Sequence, residues 1–218
     1  MLSLALGLST RKPLTLLCLG AHADDIEIGA GGTILALLER YPGSRVHWVV
    51  FSANAERTEE ARASATAFLG GAGTADVTVH QFQDGCFPAE YLRIKAALEA
   101  LKPAAPDIVF THCRADYHQD HRTIAEMTWN TFRDHLILEY EVPKYDPDLG
   151  NPNLFVPLQP RHAEAKVAAL MTHFASQRQR RWFVPDTFLA LMRLRGVQGA
   201  APSGLAEGFY APKILLLG

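Results

Sequence analysis

The chain has 218 residues, 48% of them hydrophobic and 20% charged, which is ordinary for a globular protein with a full hydrophobic core. Its net charge of −2 does not favour nucleic acid or an acidic membrane surface as a partner. The three cysteines are odd in number and widely spaced, so they indicate no disulfide framework and favour a reducing compartment.

The N-terminal segment MLSLALGLSTRK, residues 1–12, contains a short apolar run with no basic residue ahead of it. Such a run is too short to span a bilayer and lacks the basic start of a signal peptide. We therefore expect a cytoplasmic protein without stable membrane insertion. The sequence assigns no oligomeric state.

Strand-like and helix-like signals alternate strictly over the first 140 residues. Apolar runs predict strands at 14–21, 45–53, 76–82, 107–113 and 136–142. Helical spacing predicts helices at 25–40, 56–70, 89–102 and 120–135. This alternation predicts an α/β fold with a doubly wound, mostly parallel, Rossmann-like sheet of order 3-2-1-4-5 and helices on both faces.

The character of the sequence changes after Val142. Residues 143–160 carry five prolines and little periodicity, which predicts a long loop over the active site. Residues 161–181 predict a helix, and a short helix and a strand follow it. Because these segments are too few for a second core, we predict a single domain over residues 1–218.

Imidazole and carboxylate side chains follow two strands that are predicted to be neighbours. GAHADDIEIGAGG, residues 20–32, comes after the first strand, and THCRADYHQDHR, residues 111–122, ends the fourth. In a doubly wound sheet these two strands flank the crevice at which such folds bind ligands. The residues expected to meet there are His22, Asp24, Asp25, His118, Asp120 and His121.

Two imidazoles and one carboxylate form a common catalytic zinc set with a fourth position open to water. Zinc lowers the pKa of its bound water to about 7, and a second carboxylate can then act as the base. The spacing therefore indicates a metal hydrolase, but it does not choose which histidine binds the ion. Helix capping by Asp24 or Asp120, and a ligand role for His112 or Cys113, stay open. Asp116 is expected to orient a ligand histidine.

HADDIEIGAGG at 22–32 resembles the AHPDDxE segment of the LmbE-like (PIG-L-type) zinc-dependent N-deacetylases. HQDH at 118–121 is similar to the HxxH element of that family. ERTEEARASATAFLG at 56–70, HFASQ at 173–177 and LAEGF at 205–209 extend the resemblance over most of the chain.

This resemblance implies a hydrolase that removes an acetyl group from an N-acetylglucosamine-type sugar or glycoconjugate, with Zn²⁺ or another divalent metal as cofactor. It implies three metal ligands, His22, Asp25 and His121. It further implies that Asp24 is the general base and that His118 is a charged group that stabilises the oxyanion. To these we add Asp120, which we expect to hydrogen-bond an imidazole and raise its basicity.

One departure from the family pattern is Ala23, which stands where the family usually has proline. Because proline fixes φ, alanine is expected to lower stability by about 0.4–1 kcal/mol through the unfolded state, without removing a reactive group.

Substrate contacts are expected from Arg57, Asp84 and His173. The alternative for Arg57 is a surface salt bridge to Glu56 or Glu60. Tyr145 and Phe155 of the proline-rich segment are expected to form a wall for a sugar ring, although such a segment could equally form a subunit contact.

Three other functions compete with the deacetylase prediction. A nucleotide-binding module is disfavoured because GAGG at 29–32 lies inside a predicted helix and does not form GxGxxG after the strand. A metal-binding protein without catalysis would use the same ligands, but it would not need Asp24 and His118. Hydrolysis of another amide stays open, whereas phosphoester hydrolysis usually requires two metals and more carboxylates.

Overall fold

The computed structural model describes residues 13–214, so the N-terminal segment at 1–12 lies outside the described residues. The strands are β1 Thr15–Gly20, β2 Arg45–Val50, β3 Thr74–Val79, β4 Ile108–His112, β5 Leu136–Tyr140, β6 Leu154–Pro157 and β7 Ala206–Tyr210. The helices are α1 Asp25–Arg40, α2 Ala55–Phe68, α3 Tyr91–Glu99, α4 Gln119–Thr131, α5 Pro160–His173 and α6 Pro185–Gln198. Within residues 13–214, no helix has both the length and the hydrophobicity needed to cross a bilayer.

These seven strands form one sheet in the order β3-β2-β1-β4-β5-β7-β6. Strands β1 to β5 pair in parallel, and β7 is antiparallel to both β5 and β6. The predicted order 3-2-1-4-5 and the mostly parallel α/β class are confirmed. The C-terminal strands extend the same sheet beyond β5.

The apolar run of β1 is buried because helices cover both faces of the sheet. Leu16 and Cys18 pack in a core cluster that includes residues of α1, α2 and α5, whereas Leu17 and Leu19 pack in a cluster with α3 and α4. Alternate residues of a strand point to opposite faces. The chain therefore leaves β1 on one face and β4 on the other, which opens a crevice between their carboxyl ends.

The prediction of one continuous loop at 143–160 is wrong in its second half. Leu154–Pro157 forms β6, the edge strand beside β7, and a proline is tolerated there because an edge strand leaves one side of its backbone unpaired. The helix predicted at 161–181 ends at His173 and is followed by a 3₁₀ turn at Ala175–Gln177. Partners distant in sequence decide these two segments, so local periodicity did not reveal them.

Candidate active site

The two predicted clusters meet at the carboxyl ends of β1 and β4. β1 ends at Gly20 and α1 begins at Asp25, so the intervening turn carries the first cluster. β4 ends at His112, and the second cluster lies at the start of α4. Direct pairing of the strands, such as Leu17 with Val109, brings the two turns side by side.

Three of the predicted residues direct one atom each toward a common point. His22 Nδ1 lies 3.2 Å from His121 Nε2 and 3.4 Å from Asp25 Oδ2, and His121 Nε2 lies 3.5 Å from the same oxygen. Ligand atoms at about 2.0–2.1 Å from a tetrahedral zinc are roughly 3.3–3.4 Å apart. The three separations therefore fit a single zinc ion with one open position.

The outer nitrogens of both histidines contact carboxylates. His121 Nδ1 lies 2.9 Å from Asp116 Oδ2. His22 Nε2 lies 3.3 Å from Asp120 Oδ2 and 3.0 Å from Asp84 Oδ1. Such contacts orient imidazoles that bind metals and raise their basicity. The expected imidazole contacts of Asp116 and Asp120 are thus present.

Asp120 is not a capping residue through its side chain. Its carboxylate accepts hydrogen bonds from the backbone N–H groups of Gly85 and Phe87, at 2.7 and 3.1 Å. The N-cap of α4 is His118, whose Nδ1 accepts from Asp120 N at 3.3 Å. Asp120 therefore joins His22 to the turn that carries Asp84.

Two members of the triad, Asp25 and His121, are held in the protonation state that binds a metal. Burial acts to raise the pKa of Asp25, but the imidazoles of His121 and His112 outweigh it and hold that pKa well below its usual range. Burial, aided by His112, lowers the pKa of His121 to about 4, which keeps its imidazole neutral. Burial also acts to lower the pKa of His22, yet hydrogen bonds to Asp120, Asp25 and Asp84 raise it well above the usual value. Metal binding therefore has to release a proton from His22.

The two alternative ligands, His112 and Cys113, have different surroundings. His112 is fully buried, its Nε2 lies 2.9 Å from Ala21 N and 3.2 Å from Asp25 Oδ2, and its ring stacks on His121 at 3.9 Å. Burial raises the pKa of the Cys113 thiol to about 11, which keeps it neutral and a poor ligand.

Asp24 occupies the N-cap position of α1, but within the described residues its side chain makes no capping hydrogen bond. Its Oδ1 accepts from Arg57 Nη2 at 2.6 Å. Burial raises the pKa of Asp24, against the opposing charge of Arg57. The surface salt bridge considered for Arg57 is not its main contact: the side chain is 15% exposed, and Glu60 lies 3.8 Å away.

His118 adjoins the triad, with its ring centroid 4.9 Å from that of His22 and 4.6 Å from that of His121. Burial lowers the pKa of His118, and a positive charge on His22 lowers it further. Because Nδ1 accepts a backbone N–H, the neutral ring carries its proton on Nε2.

A cavity of about 590 Å³ opens over these groups. Arg57 and Asp84 line it as expected, and so does Tyr145, but His173 and Phe155 are not part of the wall that the described residues form. α5 ends at His173, and the turn after it places Ser176 in the wall instead, where it contacts Arg57 and Glu60. Phe155 lies in β6.

Several residues that line the cavity were not predicted from the sequence, namely Lys144, Asp146, Ser176, Gln177, Arg180 and Trp182. Only the HFASQ segment at 173–177 held a signal, for Ser176 and Gln177.

The family model described as "PIG-L: GlcNAc-PI de-N-acetylase" matches residues 17–132, more than half of the chain. The chain belongs to the PIG-L family. The resemblance seen in the sequence is thereby confirmed, and the match spans both clusters of the site. A comparison with curated proteins by sequence finds no match.

Solved structures share the fold of this PIG-L family member. The conserved protein TT1542 from Thermus thermophilus is 21% identical, with a TM-score of 0.72 over 94% of this chain and 97% of its own. N,N'-diacetylchitobiose deacetylase from Pyrococcus horikoshii is 21% identical, with a TM-score of 0.69 over 89% and 82%. GalB, the 4-carboxy-2-hydroxymuconate hydratase from Pseudomonas putida KT2440, is 19% identical, with a TM-score of 0.72 over 94% and 98%. At such identities the likeness concerns the fold, which serves more than one reaction.

Proposed function

We propose that this protein is a zinc-dependent hydrolase that removes the acetyl group from an N-acetylglucosamine-type sugar or glycoconjugate. The observation that carries the proposal is the triangle of His22 Nδ1, Asp25 Oδ2 and His121 Nε2, whose 3.2–3.5 Å edges suit tetrahedral zinc. Family membership and the deacetylase among the structural neighbours support the choice of reaction.

The three triangle residues would hold the ion, and a zinc ion bound there would supply Lewis-acid chemistry and a water whose pKa is lowered to about 7. Two neutral imidazoles and one carboxylate leave one positive charge on the loaded site. Asp116 and Asp120 keep the two imidazoles oriented while substrate enters and product leaves.

Asp24 is the proposed general base. It is adjacent in sequence to the ligand Asp25, it lines the cavity, and Arg57 holds one of its oxygens at 2.6 Å. Burial raises the pKa of its carboxyl, which makes it a better proton acceptor near neutral pH. Its role is to take the proton of the attacking water and to deliver it to the leaving amine.

His118 is the proposed donor to the oxyanion. Its Nδ1 accepts a hydrogen bond from Asp120 N. Its Nε2–H can therefore donate a hydrogen bond to the acetyl oxygen as negative charge develops there. Removal of one donor of this kind typically costs about 100- to 1,000-fold in rate.

The cavity suits a sugar with an attached group. Arg57, Asp84 and Ser176 offer hydrogen bonds to hydroxyl groups, and Tyr145 and Trp182 offer apolar faces. A small N-acetylated sugar or glycoconjugate is therefore the proposed substrate. We place the reaction in the cytoplasm and assign it to a single domain. We propose no nucleic-acid partner.

The first experiment is acetate release from a panel of N-acetylated sugars, nucleotide sugars and glycosides, with and without a chelator. Release that stops on chelation and returns with zinc supports the proposal. Release that persists in the fully metal-free protein would contradict it. An N-acetylated peptide in the panel separates sugar specificity from general amide hydrolysis.

Two variants separate the base from the ligands. Asp24→Asn is expected to bind zinc stoichiometrically yet lose most deacetylation, because only the proton acceptor has gone. His121→Ala is expected to lose zinc affinity because a ligand has gone. Near wild-type rates for Asp24→Asn, or equal zinc content in His121→Ala, would overturn the respective assignment.

A further inference from the structure

Asp116 is a buried carboxylate, 4% exposed, with contacts on both oxygens. Oδ2 contacts His121 Nδ1 at 2.9 Å. Oδ1 accepts from His118 N at 2.8 Å and contacts Lys144 Nζ at 3.0 Å. The same side chain therefore contacts a proposed ligand, the backbone of the proposed donor and a cation.

That cation comes from a different part of the chain. Lys144 follows β5 in a segment that we call the strap, residues 141–150. Its ammonium donates to Asp148 Oδ2 at 2.6 Å, and its side chain is only 9% exposed. Asp148 Oδ2 in turn accepts from Tyr117 N at 2.8 Å. Lys144 thus ties the strap to the turn at Asp116–His118, directly before the helix that carries His121.

The two ends of the strap are anchored independently of this contact. Arg195 makes a bidentate pair with Glu141, at 2.8 and 2.7 Å, and donates to Gly150 O at 3.1 Å. Tyr210 Oη donates to Glu141 Oε1 at 2.9 Å. Between these ends, Lys144, Tyr145 and Asp146 line the cavity.

We propose that Lys144 is a positioning residue for the metal site. It holds Asp116 in the conformation that orients His121, and it joins the cavity wall formed by Tyr145 and Asp146 to the same carboxylate. The inference rests on the metal site of the proposed function and assigns a role to a residue outside the ligand set.

Two physical effects make Lys144 more than a packing residue. A carboxylate that has lost its cation can rotate toward other donors, and His121 then loses its fixed orientation. Without the ammonium, Asp116 and Asp148 also face each other as buried, uncompensated charges. Outer partners of metal ligands typically account for about 10- to 100-fold in metal affinity.

The test measures zinc affinity of the metal-free protein by competition with a chromogenic chelator, so that no substrate is involved. Lys144→Met is expected to bind zinc at least about 10-fold more weakly than wild type. Lys144→Arg, which keeps the charge and the donors, is expected to restore most of the affinity. Tyr210→Phe is the matched control, because it removes a hydrogen bond from the strap anchor without touching Asp116.

A double-mutant cycle shows whether Lys144 acts through Asp116. Asp116→Asn combined with Lys144→Met is expected to bind zinc no more weakly than Asp116→Asn alone, since the carboxylate through which Lys144 orients His121 is already gone. Additive losses would overturn the mechanism. Should Lys144→Met fail to fold, Lys144→Gln is measured in its place, with the same expected loss.

The outcomes separate this inference from the proposed function. Wild-type zinc binding and acetate release together with unchanged affinity in the Lys144 variants would overturn the positioning role alone. Absence of zinc binding in the wild type would overturn the proposed function, and this inference with it.

Discussion

Two buried groups of charged residues lie near α1 and differ in how completely the protein satisfies them. Lys166 and Glu207 form an ion pair at 2.6 Å beside the middle of the helix. Glu207 accepts from Gly32 N and Thr33 N at 2.9 and 2.7 Å, and Lys166 donates to Ile28 O at 2.5 Å. Both carboxylate oxygens of Glu207 and the ammonium of Lys166 thus have partners within the protein.

The group at the N-terminus of the same helix is arranged differently. His22 Nδ1, Asp25 Oδ2 and His121 Nε2 converge within 3.2–3.5 Å of one another, and their outer atoms are held by other residues. When His22 is protonated, its Nδ1–H faces two acceptors, Asp25 Oδ2 and His121 Nε2, whereas a divalent cation in place of the proton satisfies all three atoms.

Within this one fold, a structural charge pair and a candidate binding site therefore differ in whether their atoms find all their partners inside the protein. Both groups are buried, and both contain residues of opposite charge. The Lys166–Glu207 pair forms hydrogen bonds with the backbone of the glycine-rich helix α1, so its role is structural. The triad directs one atom of each residue at a common point beside a cavity, and a ligand at that point would satisfy all three atoms.

The largest expected effect tests the structural pair. Glu207→Ala leaves Lys166 buried without a counter-charge and removes an acceptor from two backbone N–H groups. We expect it to lower the free energy of unfolding by about 3–5 kcal/mol, measured by urea denaturation. The double variant Lys166→Met with Glu207→Leu is expected to recover most of this loss. A loss in the single variant below about 1 kcal/mol would place this pair among weak surface interactions.

The next effect tests the triad through stability. Free zinc at 100 times its dissociation constant is expected to raise the free energy of unfolding by about 2.7 kcal/mol, and a chelator is expected to reverse the rise. His121→Ala should show no rise in the free energy of unfolding at the same zinc concentration, because one of the three proposed ligands is missing. An equal rise in both proteins would mean that zinc binds elsewhere.

A smaller effect tests the outer contacts of the triad. Asp120→Asn keeps the shape of the side chain and one of the two oxygens that accept from Gly85 N and Phe87 N, but it removes the charge beside His22. We expect zinc affinity to fall about 10- to 100-fold, measured by chelator competition. Glu39→Gln, a change in an exposed ion pair with Arg161, is the control and should leave affinity unchanged. Unchanged zinc affinity in Asp120→Asn would mean that this carboxylate supports only the turn at Gly85 and does not tune the metal site.

A last, smaller effect concerns the thiols of Cys86 and Cys113. Burial raises the pKa of Cys113 to about 11, so at pH 8 only roughly one molecule in a thousand carries the thiolate. The thiolate fraction rises with pH, and alkylation should rise with it. Iodoacetamide at pH 8 is therefore expected to label the half-buried Cys86 and to spare Cys113, as read by mass spectrometry of peptides. Equal labelling would show that this side of the site is open to solvent.

The sequence predicted the elements around the site well because their signals are local. Helix α1 was predicted at 25–40 and is observed at Asp25–Arg40, since its apolar spacing lies within one segment. Strand β6 was missed because its residues become a strand only against β7, about 50 residues away in sequence. Arg57 was weighed as a surface pair with Glu60 because i,i+3 spacing on a helix is visible in the sequence, whereas its approach to Asp24 is not.

From the sequence one can predict the alternation of elements, the order of the first five strands and the identity of the two clusters that face each other. Periodicity and the geometry of parallel crossovers are sufficient for that. The tertiary structure alone decided which atoms of those clusters converge, that His118 accepts a backbone N–H, and that Lys144 reaches Asp116 across 28 residues. Those outcomes depend on side-chain directions and on burial, which exist only once the sheet, its helices and the strap have packed together.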